Sequence, residues 1–192
     1  MNILRVVKIH MIIRAIVYSD DKDEALQKGK EIIEGMCGED RTFDYATFFD
    51  EEENGISGKS RWGDLPPVTE VTTKEGKKLI DDGLNYTKQK FFENMQHIRK
   101  GLEKYRDIDI FEEKIVDDTK AVVDRLQNNH NKDYELHMFK YFCHCVGQYR
   151  GSDIFLYNDD GEGIRNSDML KKVLTEWNKG QKVWVIPADV HL

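Results

Sequence analysis

The chain has 192 residues, of which 39% are hydrophobic and 34% are charged, and its formal net charge at pH 7 is −7. This length and composition predict a globular protein with enough apolar residues for a core, and they exclude a wholly disordered chain. No uninterrupted apolar run approaches the roughly 20 residues of a membrane-spanning helix, and the acidic balance argues against a general nucleic-acid binder. We therefore expect a soluble protein that makes no membrane contact.

The first predicted element is a strand that ends at Tyr18, because apolar residues at every second position alternate with polar ones such as His10 and Arg14. This alternation is typical of a half-buried strand. One strand over the whole opening segment would be unusually long. Residues 1–10 are therefore predicted to be an N-terminal extension, with Met11 as an alternative natural start.

A helix, an aromatic-rich strand and a long loop follow the first strand. The helix is predicted to begin at a capping box formed by Asp21 and Glu24 and to end at Gly38. The strand covers residues 43–49. Residues 50–67 contain glycines and prolines without hydrophobic periodicity, and they predict a surface loop longer than ordinary connections.

Two apolar stripes with spacings of three and four predict two consecutive helices over residues 73–105 and 107–127. The stripes differ in phase, so we expect a break near Arg106. Basic residues flank the first stripe and acidic residues flank the second. The charges therefore favour an antiparallel hairpin within one chain, while a symmetric homodimer through the long helix is the alternative.

The rest of the chain predicts strands over residues 134–146, 154–157 and 182–190, with a short helix before the last strand. That helix is expected to begin at a Ser167 cap and to bury Leu170, Val173 and Trp177. The element order predicts one α+β domain over residues 1–192. Its antiparallel or mixed sheet would have about five strands covered by helices, and a ferredoxin-like variant is one arrangement that fits.

The three cysteines are Cys37, Cys143 and Cys145, and they form no disulfide framework. This usage is typical of a reducing compartment and predicts a cytoplasmic location. In a strand, Cys143, Cys145 and His137 would share one face and suggest zinc, but the chain has no second cysteine pair. The acidic turn at residues 158–163 does not fit a calcium loop. We therefore predict no bound metal and no cofactor.

Three short segments, residues 61–64, 148–151 and 189–191, place arginine or histidine close to an aromatic or an acidic residue. Glycine beside arginine permits a ligand to approach closely, and arginine supplies a permanent positive charge. If the segments converge, they would form an anion-binding or partner-binding patch from Arg61, Trp62, Asp64, Tyr149, Arg150 and His191. The alternative is that Trp62 only anchors its loop to the core and that His191 is merely exposed.

No nucleotide-binding loop, serine-hydrolase elbow or zinc-protease motif occurs in the chain. The sequence therefore favours a non-enzymatic binding or protein-interaction module, acting on an unidentified protein or a small anionic ligand. A small enzyme acting on a phosphorylated or anionic substrate is the first alternative. An acidic mimic of nucleic acid is the second, because residues 39–53 are rich in acids. We expect a monomer.

Overall fold

The computed structural model describes residues 10–52, 55–112, 132–148 and 153–192, and every structural statement below refers to these residues. The strands are β1 (His10–Tyr18), β2 (Tyr45–Phe48), β3 (Thr69–Glu70), β4 (Leu156–Tyr157) and β5 (Val183–His191). The helices are α1 (Lys22–Glu34), α2 (Lys59–Trp62), α3 (Lys74–Lys104), α4 (Asp107–Phe111), α5 (Lys132–Gly147) and α6 (Ser167–Thr175). The predicted α+β class is confirmed.

The sheet is mixed and open, with strand order β2-β5-β1-β4 and with β3 paired to β5. Strands β1 and β5 are antiparallel along their whole length, from His10 opposite His191 to Tyr18 opposite Val183. Strand β4 runs parallel to β1, whereas β2 and β3 are antiparallel to β5. The last residues of the chain therefore occupy the middle of the sheet.

Both faces of β1 are covered, so the prediction of a half-buried strand was wrong. Ile13 faces the cluster that contains Ile33 of α1, and Ile16 faces the cluster that contains Leu79 of α3. Arg14, expected on a solvent-facing side, is only 4% exposed. Alternation of polar and apolar residues could not indicate that helices pack on both sides of this strand.

Helix α1 begins as predicted at Asp21, whose carboxylate accepts hydrogen bonds from the backbone N–H groups of Asp23 and Glu24 at 2.9 and 2.8 Å. Its middle approaches the sheet at Gly29. A Cβ atom at Gly29 would lie 2.6 Å from Cγ1 of Ile186 in β5, so only glycine permits this close packing.

The predicted break in the central helical region is confirmed, because α3 ends at Lys104 and α4 begins at Asp107. The predicted partner segment, residues 107–127, lies largely outside the described residues. Within the described part, the end of α3 packs antiparallel against α5. Lys104 forms an ion pair with Glu135, and the ring of His97 stacks on Phe142 at 4.3 Å.

The strand predicted over residues 134–146 is wrong, because helix α5 occupies this segment. Leu136 and Phe139 are buried three residues apart on one face of the helix, whereas Cys145, also buried, lies about half a turn away from Leu136. Because the segment is helical, Cys143 is exposed while Cys145 is buried. The expected common face of the two cysteines is therefore also wrong.

Helix α6 differs from its prediction at both ends. Its N-cap is Asn166 rather than Ser167, since the Asn166 side chain accepts a hydrogen bond from the backbone N–H of Met169 at 2.7 Å. Val173 is buried as predicted. Trp177 lies beyond the helix and is 40% exposed, which contradicts its predicted burial.

The described residues form two compact units, one ending at Lys88 and resuming at Asp153, the other between Gln89 and Gln148. Strands β1–β5 and helices α1, α2 and α6 belong to the first unit, and α4 and α5 belong to the second. Helix α3 contributes residues to both. None of the described helices is long and apolar enough to cross a membrane.

Candidate functional site

The predicted patch residues of the long loop lie in or beside the four-residue helix α2. Arg61 and Trp62 are exposed, and the Arg61 Nε atom donates to the carbonyl oxygen of Ile56 at 3.3 Å. An Asp64 carboxylate oxygen lies 3.8 Å from the Lys59 ammonium. Trp62 is 41% exposed, so a large part of its side chain remains outside the core.

His191 does not join those residues. It is buried in β5, at 7% exposure, which contradicts the expectation that it is merely exposed. Within the described part of the chain, no hydrogen bond, ion pair or ring contact connects His191 with Arg61, Trp62 or Asp64. Tyr149 and Arg150 lie outside the described residues. The predicted convergence of the three segments stays a prediction.

An open cleft of about 500 Å³ lies at the end of β1. Four segments of the first unit supply its charged and aromatic side chains. These are β1, helix α1 and the turns that follow β4 and α6, which contribute Tyr18, Lys28, Glu31, Asp159, Trp177 and Lys179. The cleft combines aromatic surface with both signs of charge, which suits a small polar ligand.

A tight turn presents Asp159 to the cleft. The side-chain oxygen of Asn158 accepts hydrogen bonds from the backbone N–H groups of Asp160 and Glu162 at 3.1 and 2.8 Å. Gly161 has φ +70, a conformation that glycine adopts without strain. The acidic turn is thus held by its own asparagine.

A second turn, after α6, presents Trp177 and Lys179. Asn178 fixes it at both ends, since its side chain donates to the carbonyl of Leu174 and accepts from the N–H of Gly180, both at 3.2 Å. Lys179 itself has φ +49, which is uncommon for a residue with a side chain. This backbone holds an aromatic and a cationic side chain at the cleft.

The polar side chains in the cleft differ in whether they have a hydrogen-bond or ion-pair partner within the protein. The Tyr18 hydroxyl donates to the carbonyl of Val173 at 2.9 Å, and burial raises the pKa of Tyr18. The pKa of Asp159 is raised by partial burial and by the charge of Asp160. Among the described residues, neither the Lys179 ammonium nor the Trp177 indole N–H has a hydrogen-bond partner or an ion pair.

A separate polar cluster lies at the start of β1. The Nδ1 atom of His10 is 3.1 Å from both carboxylate oxygens of Asp189, which is fully buried. The backbone N–H of Gly58 donates to the same carboxylate at 2.9 Å. Gly58 has φ +56, and a Cβ atom there would lie 2.9 Å from Cγ2 of Thr47, so glycine is needed for this contact.

A second histidine–aspartate pair adjoins the first. The Nδ1 atom of His191 lies 2.7 Å from a carboxylate oxygen of Asp44. The His191 ring stacks on Tyr45 at 5.0 Å and lies 5.1 Å from the ring of His10. The Nε2 atom of His191 is buried without a hydrogen-bond partner.

This arrangement, with Nδ1 on a carboxylate, is the one that orients imidazole Nε2 for proton transfer or for binding a metal. A metal site needs further ligands. The described residues contain no group of three or more histidine, cysteine, aspartate or glutamate side chains that could hold one. Each pair leaves Nε2 as the imidazole atom that a proton transfer would use.

Sequence reasoning missed both the cleft and His10. The spacing of Asp189 and His191 by two residues in a strand did place their side chains on one face. The partner of each could not be read from the sequence, because His10 reaches Asp189 only through the register of β1 and β5. Trp177 was assigned to the core because its spacing continued the apolar stripe of α6.

Comparisons with curated proteins and with solved structures find no match. A family model described as "Domain of unknown function (DUF7995)" matches residues 9–123 and residues 111–192. The two matched ranges overlap and together reach from the start of β1 to the end of the chain. The chain therefore belongs to the family of the domain of unknown function DUF7995.

Proposed function

We propose that this protein is a non-enzymatic binding module whose ligand is a small, flat molecule with a negative charge. The ligand would occupy the cleft at the end of β1. The observation behind the proposal is the exposed indole of Trp177 beside Lys179 in a cleft of about 500 Å³. That volume falls within the range of roughly 300–1,000 Å³ that is typical of small-molecule sites.

The indole supports a flat ligand. Trp177 leaves 40% of its surface uncovered, although a tryptophan gains more than most residues from burial. Its N–H group has no hydrogen-bond partner among the described residues. A flat ring stacked on the indole would cover this apolar surface, and a polar edge of that ring could accept from the N–H group.

The lysines support a negative charge on the ligand. Lys28 already forms an ion pair with Glu24 at 2.8 Å, whereas Lys179 forms no ion pair in the described part of the chain and only lowers the pKa of Asp159 through space. The adjacent carboxylates of Asp159 and Asp160 would repel an anion. The anionic group is therefore expected to approach Lys179 rather than Asp159.

The probe 8-anilinonaphthalene-1-sulfonate, a flat aromatic anion, tests this proposal by fluorescence titration. Trp177→Ala should weaken its binding at least tenfold, which corresponds to about 1.4 kcal/mol. Trp62→Ala is the matched control, because Trp62 is 41% exposed and lies outside the cleft. Equal affinities of the wild type and Trp177→Ala would contradict the proposal.

A neutral analogue of the probe separates stacking from charge. Lys179→Gln should weaken binding of the sulfonate about two- to fivefold, as expected for an exposed ion pair of roughly 1 kcal/mol or less. Binding of neutral N-phenyl-1-naphthylamine should not change. Equal losses for both probes would indicate that Lys179 acts on the shape of the cleft and not through its charge.

Acid–base catalysis on an anionic substrate is the second candidate function. It is favoured by the His10 imidazole, whose Nδ1 lies 3.1 Å from both oxygens of buried Asp189, the arrangement of an oriented general base. Hydrolysis of p-nitrophenyl phosphate that is lost in His10→Gln and kept in Trp177→Ala would support it. Absence of turnover in the wild type with this substrate and with p-nitrophenyl acetate would argue against it.

Location, assembly and fold family also stay proposals. The three free thiols favour the reducing cytoplasm, and the expected monomer can be tested by light scattering over a dilution series. The ferredoxin-like variant rests on the alternation of strands and helices in the sequence.

A further inference from the structure

Arg14 is an unusual residue for the middle of a central strand. Its side chain is buried at 4% exposure, and its Nη1 atom donates to the carbonyl oxygen of Ile12 at 2.5 Å. That is the only hydrogen bond its guanidinium makes within the described residues, and the buried Nε atom has no partner. Since Nε is a strong donor, burying it without an acceptor leaves one hydrogen bond of the guanidinium unmade.

The charge of Arg14 also has no ion-pair partner among the described residues. Burial lowers the pKa of Arg14 to about 10, which still leaves the group protonated at neutral pH. Asp82 and Tyr86 of α3 raise this pKa through space, but neither forms an ion pair with the guanidinium in the described structure. A buried cation without a counter-charge is strongly unfavourable. A counter-ion is therefore expected.

The surroundings of Arg14 differ between its aliphatic part, here called the stem, and its guanidinium group, here called the head. At the stem, a Cβ atom on Gly83 would lie 3.1 Å from Cδ of Arg14, so packing there is close. At the head, the guanidinium carbon lies 5.8 Å from the ring centre of Tyr86. Tyr86 is 49% exposed, so the ring beside the guanidinium is itself in contact with solvent. A small anion could reach the head when this ring rotates.

We propose that Arg14 is the anchor of an oxyanion-binding site that takes the carboxylate or phosphate group of a small molecule. The planar guanidinium matches both groups with paired hydrogen bonds, and Nε is a free donor for one of them. This site is distinct from the cleft. Arg14 precedes Val17, the nearer of the two cleft residues of β1, by three positions, or about 10 Å along the strand.

Thermal unfolding in matched salts tests the site. The full chain is melted in sodium chloride, acetate and phosphate at equal ionic strength and pH. An anion at tenfold its dissociation constant should raise the wild-type melting temperature by about 2–5 °C over chloride, with saturation. Acetate and phosphate distinguish a carboxylate from a phosphate ligand.

Two variants assign the effect to Arg14. Arg14→Met should abolish the anion-specific rise and should melt in chloride at or above the wild-type temperature, because an apolar side chain replaces an unpaired cation. Arg61→Met should keep the rise, since Arg61 is exposed. If Arg14→Met keeps the rise, or if Arg61→Met loses it, the assignment to Arg14 is overturned.

Direct observation of the wild type keeps the proposal testable if Arg14→Met does not fold. In a ¹H–¹⁵N spectrum, the Nε–H resonance of Arg14 is the one that is present in the wild type and absent from Arg14→Lys. That resonance should shift on titration with phosphate or acetate but not with chloride. A resonance that stays unchanged with both oxyanions would show that Arg14 is compensated from within the chain, with Asp82 as the nearest source, and would overturn the site.

Discussion

Gly101 allows α3 and α5 to touch within the second unit, and replacing it tests that contact. A Cβ atom at Gly101 would lie 2.6 Å from Cε2 and 2.9 Å from Cγ of the Phe139 ring, and closer still to Cδ2. Real Cβ atoms essentially never approach another heavy atom within 3.0 Å. Phe139 is only 6% exposed, so its ring has little room to move away.

Two opposing effects set the size of the change in Gly101→Ala. Alanine stabilises a helix interior by about 1 kcal/mol over glycine, whereas overpacking a closed contact costs about 1–3 kcal/mol. Gly101→Ala should therefore lower the free energy of unfolding by up to ~2 kcal/mol. Gly147→Ala is the control, because no atom lies within 4 Å of its added Cβ, and it should be neutral or slightly stabilising.

The effect of Gly101→Ala on the free energy of unfolding should change sign when Phe139 is replaced by alanine. Phe139→Ala alone should cost about 3–5 kcal/mol, but it also removes the ring that Gly101→Ala would strike. In that background, Gly101→Ala should stabilise by up to ~1 kcal/mol. Urea unfolding followed by circular dichroism gives the four free energies. Equal stabilisation by Gly101→Ala in both backgrounds would refute the packing of α3 on α5.

Three further predictions follow from single side chains. Asn166→Ala should lower the free energy of unfolding by about 0.5–2 kcal/mol, because the N-cap of α6 is lost. Ser167→Ala should lower it much less. A larger loss for Ser167→Ala in chemical unfolding would show that Ser167 is the N-cap. Phe91→Ala should cost less than Phe139→Ala, because Phe91 is 38% exposed, and a larger loss at Phe91 would place it in a closed core. The pKa of Asp159 is raised in the folded protein, so the folded state holds this proton more tightly than the unfolded state. The stability contribution is therefore greatest when Asp159 is protonated and declines as pH rises from the unfolded value near 3.9 through the raised folded value. Asp159→Asn should remove this decline in melting curves measured between pH 3 and 7, and an unchanged pH dependence would contradict it.

Local patterns in the sequence determined the long elements correctly. The apolar stripe of α3 and its change of phase predicted both a long helix and its end near Arg106, because side-chain spacing of three and four depends only on helix geometry. Strands β1 and β5 were likewise predicted from their composition, and the cap of α1 at Asp21 from its residue type.

Helix α5 shows where local preference misled the prediction. Its phenylalanine, tyrosine and cysteine residues favour strands by propensity, and the strand assignment followed that preference. The spacing of three residues between Leu136 and Phe139 was present in the sequence and fits one face of a helix. Packing of Leu136 and Phe139 with Tyr105 and Ile98 stabilises the helical choice, and that contact is not visible from the segment alone.

The candidate sites depend on tertiary structure more than the elements do. The sequence singled out His191 only as an exposed candidate and did not connect it with Asp189, although two residues of one strand separated by one position share a face. Only strand register brought His10 to Asp189, and only the turns after β4 and α6 brought Asp159 and Trp177 to one cleft. Burial of Arg14 likewise required α3 to cover the sheet. Contacts between segments far apart in the chain have no local pattern. The sequence by itself therefore determined β1, β5, α1 and α3, whereas the tertiary structure decided the helical state of α5 and which side chains meet.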